Sequence, residues 1–103
     1  MSGIPIVCQL SDAARRQREA TLLARFKSGV VTITELKDGY AFRLPGEQEW
    51  VTLLAELLIA ERECCPFLAF QLMAEPQMGA ITLQITGPVG TKEFLKTTFV
   101  GES

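Results

Sequence analysis

Two adjacent thiols and a carboxylate stand at the end of a helical segment, in the run Glu61-Arg62-Glu63-Cys64-Cys65-Pro66-Phe67. Before this run, apolar residues recur at helical spacing, at Trp50, Leu53, Leu54, Leu57 and Leu58. Glu61 continues that stripe, and Cys64 and Cys65 follow it by three and four residues. Side chains at this spacing share one helix face. The pattern predicts a site that contains two thiols and one carboxylate.

The chemistry open to such a site is limited because the chain contains no histidine. That absence excludes Ser-His and Cys-His nucleophilic arrangements and removes the commonest transition-metal ligand. Cys64 and Cys65 are predicted at a helix C-terminus beside Glu61 and Glu63, where the helix dipole and the carboxylates disfavour a thiolate. A nucleophilic cysteine is therefore not expected. An enzyme that uses Glu61 or Glu63 as a base stays open from the residues alone, but nothing indicates a substrate.

A bound soft metal reverses this balance, because its charge deprotonates the thiols. Cys64, Cys65 and Glu61 offer local ligands, and Cys8, on a predicted strand with its side chain toward the core, could approach them. Two or three thiolates without imidazole suit copper(I), mercury(II) or arsenic(III) better than magnesium or calcium. The leading hypothesis is a small non-enzymatic protein that binds or senses a thiophilic metal through the Cys-Cys pair.

The alternative is that the cysteines have no ligand. Free cysteine is among the most buried residue types and often packs as a small apolar side chain, which applies to Cys8 and to the Cys64-Cys65 pair. The chain would then be a structural or protein-interaction module. One face of the predicted sheet is rich in Thr and Gln and nearly free of charge. This face could simply meet water, or it or the acidic helix could bind another protein, including a second copy of the chain as a homodimer.

Composition indicates a single globular domain spanning residues 1–103, of which 48 % are apolar. No stretch approaches the length of a membrane span, and residues 1–5 lack the pattern of a secretory signal. Three cysteines, two of them adjacent, do not form a disulfide framework. These features predict a cytoplasmic protein.

The net charge of −2 gives no general attraction to nucleic acid or to an anionic membrane, and neither partner is expected. The charge is uneven, however. Residues 11–28 carry five basic and two acidic side chains, whereas residues 47–63 carry five acidic and one basic. This distribution predicts two solvated helix faces of opposite sign.

Hydrophobic periodicity and turn residues predict the order β-α-β-β-α-β-β-α. A strand over residues 4–10 is followed by a helix capped by Ser11 that runs to about Lys27. The remaining elements are a hairpin over residues 30–44, the helix that ends at Pro66, a second hairpin over residues 67–86, and a short helix with Pro88 at its first position. The segments 30–64 and 67–99 are each a hairpin followed by a helix, which is a possible structural repeat.

The strand patterns predict one apolar and one polar sheet face, which is typical of an antiparallel sheet covered by helices on one side. The fold class is therefore α+β, a two-layer sandwich. The side chains predicted to point inward are Phe42, Leu44, Leu68, Phe70, Leu72, Leu83 and Ile85. Those predicted on the outer face are Thr32, Thr34, Arg43, Gln71, Thr82, Gln84 and Thr86.

Three segments carry a resemblance to known sequences: Glu61-Arg62-Glu63-Cys64-Cys65-Pro66-Phe67-Leu68, Gly87-Pro88 and Glu93-Phe94-Leu95. Together they resemble a group of small uncharacterised bacterial proteins, over most of the chain and most specifically in the Cys-Cys-Pro-Phe segment. The resemblance implies a bacterial cytoplasmic protein. It implies no activity and assigns no catalytic residue.

Overall fold

The structure is a computed structural model that describes residues 13–101. Its elements are α1 (Ala13–Gly29), β1 (Thr32–Leu36), β2 (Gly39–Leu44), α2 (Gln48–Cys64), β3 (Ala69–Ala74), β4 (Ile81–Thr86) and α3 (Thr91–Leu95), which continues as a π-helical turn over Lys96–Val100. The predicted first strand and the Ser11 cap lie outside the described residues. From α1 onward the observed order agrees with the predicted one, and the α+β fold class is confirmed.

The four strands form one antiparallel sheet in the order β1-β2-β4-β3. The two hairpins, β1–β2 and β3–β4, are joined through the central pair β2–β4, in which Phe42 lies opposite Leu83 and Tyr40 opposite Ile85. Because side chains alternate between the faces of a strand, this register gathers the apolar residues of both central strands on one face. That inner face is covered by the helices.

The outer face carries the predicted polar residues of all four strands. Thr82, Gln84 and Thr86 are half-buried, while the buried Ile81, Leu83 and Ile85 alternate with them on the inner face of β4. An ion pair joins Arg43 on β2 to Glu75 just after β3, at 3.2 Å. Self-association through the outer face stays a prediction.

One inward-facing side chain is less buried than its neighbours, and one sequence prediction is corrected by the last helix. Leu72 lies opposite the buried Leu83 and so faces inward, yet it is 48 % exposed. It belongs to β3, an edge strand of the described sheet, which the helices cover less completely than the central strands. Pro88 does not occupy the first helical position, since α3 begins at Thr91, whose N–H donates to the Pro88 carbonyl at 3.0 Å.

The centre of the core is an aromatic cluster that fixes the helices to the sheet. Phe26 of α1 contacts Phe42 of β2 edge-on, with ring centroids 5.1 Å apart, and Phe99 of the π-helical turn packs 5.9 Å from Phe26. All three rings are fully buried. Edge-to-face aromatic pairs add roughly 0.5–1.5 kcal/mol beyond the area that they bury. Among residues 13–101, no helix is both long and apolar enough to cross a membrane.

Candidate metal centre

Helices α1 and α2 pack against each other in antiparallel orientation. At one end, Arg15 of α1 forms an ion pair with Glu63 of α2 at 2.6 Å. At the other end, Gly29 lies so close to the Trp50 indole that an added Cβ would be 2.3 Å from it. This pairing places the basic helix beside the acidic one and brings the first half of α1 level with the last turns of α2.

Each of the two helices presents a largely buried stripe with a glutamate in it, half-buried in α1 and fully buried in α2. In α1 the stripe comprises Glu19, Leu22, Leu23 and Phe26, spaced as one helix face. In α2 it comprises Leu54, Leu57, Glu61 and Cys64. The antiparallel pairing sets the two glutamates opposite each other at the same level.

Four side chains meet at this level: Glu19, Glu61, Cys64 and Cys65, which we call the α1–α2 cluster. One donor atom from each residue lies within 4.8 Å of the others. The two sulfurs are 3.3 Å apart, and no disulfide joins them. Glu61, Cys64 and Cys65 are 0 % exposed, whereas Glu19 is half-buried. The thiols and the carboxylate that the sequence grouped are thus together, with a second carboxylate beside them.

The buried Glu61 side chain dominates the electrostatics of the cluster. Neither of its carboxyl oxygens meets a partner at normal hydrogen-bond geometry within the described chain. Burial, followed by the neighbouring Glu19 carboxylate, raises the pKa of Glu61 from 4.5 to about 9, while the Cys65 thiol acts in the opposite direction. Glu61 therefore holds a proton at neutral pH, since a buried unpaired carboxylate would be strongly destabilising.

The backbone after α2 holds Cys65 in place. Helix α2 ends at Cys64, and Cys65 has left helical geometry, with φ −128° and ψ 76°. Its N–H donates to the Glu61 carbonyl at 2.7 Å, and its carbonyl accepts the Leu68 N–H at 3.1 Å. The second of these bonds closes a tight turn with Pro66 at the position where proline is favoured. Proline thus stops the helix and allows the two sulfurs to converge.

The three segments that carry the resemblance converge in the structure behind this turn. The Phe67 ring packs edge-on against Phe94 of α3, with centroids 5.1 Å apart. A Cβ on Gly87 would lie 3.1 Å from the Phe67 carbonyl oxygen and 2.4 Å from the Thr91 hydroxyl oxygen. The Cys-Cys-Pro-Phe turn is therefore anchored to the second half of the chain.

A surface cavity lies next to the cluster. It has a volume of about 130 Å³ and lies between the helices, lined by Arg15, Arg18, Glu19, Ile59, Ala60 and Glu63. Glu19 belongs both to this lining and to the cluster.

Glu19 is the site residue that sequence analysis missed. From the sequence, Glu19 was considered only as one of the two acidic residues in the basic segment 11–28. Its signal was present in the spacing, because Glu19 precedes Leu22, Leu23 and Phe26 at three, four and seven residues. Cys8, predicted as a ligand, lies outside the described residues, and its part in the site stays a prediction.

The donor set permits metal binding more readily than acid–base or nucleophilic chemistry. Two sulfurs and carboxylate oxygens from two side chains converge on one point. Thiolate and carboxylate are both established ligands of four-coordinate ions. Comparisons of the chain with protein-family models, with curated proteins and with solved structures found no match.

Replacing Pro66 with alanine should change the position of the thiols while changing the stability of the fold only slightly. Pro66 is exposed, and alanine is tolerated in the same turn, so the free energy of unfolding should fall by only about 1 kcal/mol. Metal affinity should fall by more than this change accounts for, because Cys65 is then free to join the helix and turn its sulfur away. Urea unfolding and metal titration of Pro66→Ala measure both effects; an unchanged affinity would show that Pro66 is only a helix stop.

Proposed function

We propose that this protein binds a thiophilic metal ion at the α1–α2 cluster and acts as a small non-enzymatic metal-binding or metal-sensing protein. The observation that carries the proposal is the buried Glu61 carboxyl group. Its oxygens have no hydrogen-bond partner at normal geometry among residues 13–101, and it faces two thiols and a second carboxyl group. A buried polar group without a partner is costly, and such groups are rare in native proteins. A bound cation that these oxygens coordinate removes this cost.

The alternative of cysteines as apolar filler accounts for only part of the cluster. It explains why Cys64 and Cys65 are buried and unoxidised. It does not explain Glu61, because an apolar residue at that position would fill the same space without the cost of burying a carboxyl group. Nor does it explain why Glu19 occupies the equivalent place in the stripe of α1. A metal site explains all four residues together.

Nucleophilic catalysis receives less support from the same geometry. Cys64 and Cys65 close the C-terminal end of α2, where the helix dipole disfavours a thiolate, and the nearest titratable neighbours are glutamates. No histidine is available as a base. A cation at the centre of the cluster instead favours the deprotonated forms of all four side chains.

Titration of the reduced protein with copper(I), mercury(II) and cadmium(II), each in competition with a chromophoric chelator, tests the proposal. We expect one ion per chain and an affinity that falls by roughly 100-fold or more when Cys64 and Cys65 are both changed to serine, since loss of supporting residues alone costs about 10–100-fold. Equal affinities for every ion in parent and double variant would rule out the site. A Cys8→Ser variant measures whether the third thiol contributes.

A further inference from the structure

We infer that the α1–α2 cluster is built for a four-coordinate divalent ion such as Zn²⁺ or Cd²⁺, held by two sulfurs and two carboxylate oxygens, in preference to ions that bind two sulfurs in a line. This inference rests on the proposed function and adds the class of ion. Its basis is the separation of the sulfurs, the backbone that fixes it, the second carboxylate and the charges around the cavity.

The separation of the sulfurs distinguishes between the coordination geometries. Cys64 Sγ and Cys65 Sγ are 3.3 Å apart. With metal–sulfur bonds of about 2.3 Å, tetrahedral coordination places two sulfurs about 3.8 Å apart, and linear coordination places them about 4.6 Å apart. The observed pair therefore needs to open by roughly 0.5 Å for a tetrahedral ion and by roughly 1.3 Å for a linear one.

The backbone opposes the larger of these two changes. Cys65 is bonded on both sides, through its N–H to Glu61 and through its carbonyl to Leu68. Cys64 belongs to the last turn of α2 and is packed in the core. The sulfurs can thus separate mainly by side-chain rotation within a buried space, and native packing leaves little room for that rotation. A tetrahedral ion requires the smaller displacement.

The carboxylates supply the remaining two positions. Glu61 and Glu19 each place an oxygen within 4.8 Å of both sulfurs, one from each helix. A linear two-sulfur ion leaves these oxygens without a role, and Glu61 then stays buried without a normal partner. Zn²⁺ accepts thiolate sulfur and carboxylate oxygen in the same tetrahedral site, and Cd²⁺ has the same electronic configuration and charge. The mixed donor set therefore fits an ion of borderline softness.

The charge of such a site is partly offset by the lining of the cavity. Two thiolates and two carboxylates carry −4, and a divalent ion leaves −4 + 2 = −2. Arg15 and Arg18 line the cavity beside Glu19 and carry +2, and Glu63, which also lines it and pairs with Arg15, carries −1, so this lining contributes +2 − 1 = +1. A monovalent ion such as copper(I) would leave a larger uncompensated negative charge.

X-ray absorption and variant affinities on the full chain test the inference. The Zn²⁺-loaded protein should give two sulfurs at about 2.3 Å and two oxygens at about 2.0–2.2 Å. Glu19→Gln and Glu61→Gln should each weaken Zn²⁺ and Cd²⁺ binding by at least about 10-fold and change copper(I) affinity by less than about threefold. Glutamine keeps the size of the protonated side chain, so both variants should fold. Glu49→Gln, an exposed glutamate in the first turn of the same helix and outside the cavity lining, is the matched control and should change neither affinity.

The outcomes distinguish this inference from the proposed function. In one outcome, binding depends on the cysteines, is unchanged in both glutamine variants, and shows only two sulfurs around the ion by X-ray absorption. That result would overturn the four-coordinate assignment and leave metal binding in place. Binding that does not depend on Cys64 and Cys65 would remove the proposed function and the inference with it. A selective loss of Zn²⁺ and Cd²⁺ affinity in both glutamine variants would support both.

Discussion

Metal-free protein should lose roughly 1–3 kcal/mol of stability as the pH rises from about 5.5 to about 7.5. Burial, followed by the Glu19 carboxylate, places the pKa of Glu61 at about 9 in the folded chain, against 4.5 for an ordinary glutamate. The folded chain therefore keeps a proton that the unfolded chain releases within this window. When the folded state binds more protons than the unfolded state, stability falls with rising pH. One full proton corresponds to about 1.4 kcal/mol per pH unit, which sets the upper end.

Urea unfolding in the presence of a chelator, repeated across this window, measures the slope. Few other groups are expected to change protonation within this window, because the chain has no histidine and thiols ordinarily titrate above about pH 8. Glu61→Gln should flatten the curve, since glutamine resembles the protonated acid and cannot release a proton. Glu63→Gln, with an exposed side chain, should keep the parent slope. A slope that survives in Glu61→Gln would mean that Glu61 is not the group that holds the proton.

The local part of the site could be read from the sequence because it follows from helix geometry alone. Glu61, Cys64 and Cys65 share a face by their spacing, and Pro66 must end the helix. Glu19 could not be placed in the same way. Its position in the stripe of α1 indicates burial, but its partner depends on which helix packs against α1, in which direction and at what height. That pairing is set by the loops and the sheet, which no local pattern specifies.

The fold shows the same division between local and long-range information. Alternation along β4 predicted its buried residues correctly, and the turn at Lys37-Asp38-Gly39 joins β1 to β2 as expected. Leu72 satisfies the same alternation but lies at an edge that the helices cover incompletely. Alternation identifies the face on which a side chain lies. How deeply the side chain is buried depends on the opposite layer.

Binding of Zn²⁺ or Cd²⁺ should stabilise the folded protein by about 4 kcal/mol when the free ion is at about a thousandfold excess over Kd. For a domain of this size that gain raises Tm by at least about 15 °C. It should decrease toward acidic pH, because the ion must displace the Glu61 proton and the protons of both thiols. Thermal unfolding at matched free-ion concentrations, with the Cys64→Ser, Cys65→Ser double variant as the reference without thiols, measures the gain.

The size of this stabilisation reveals whether the ion recognises the fold or only the Cys-Cys dipeptide. Adjacent thiols remain close together in an unfolded chain, and an ion that they bind there stabilises both states, which reduces the gain. Glu19 is different, because it comes from another helix and reaches the thiols only when α1 packs on α2. Glu19→Gln should therefore reduce the stabilisation that the ion gives to the folded protein. It should change the affinity of the urea-unfolded chain for the ion by a smaller factor. If the ion raises Tm equally in parent and Glu19→Gln, recognition lies in the Cys-Cys segment alone.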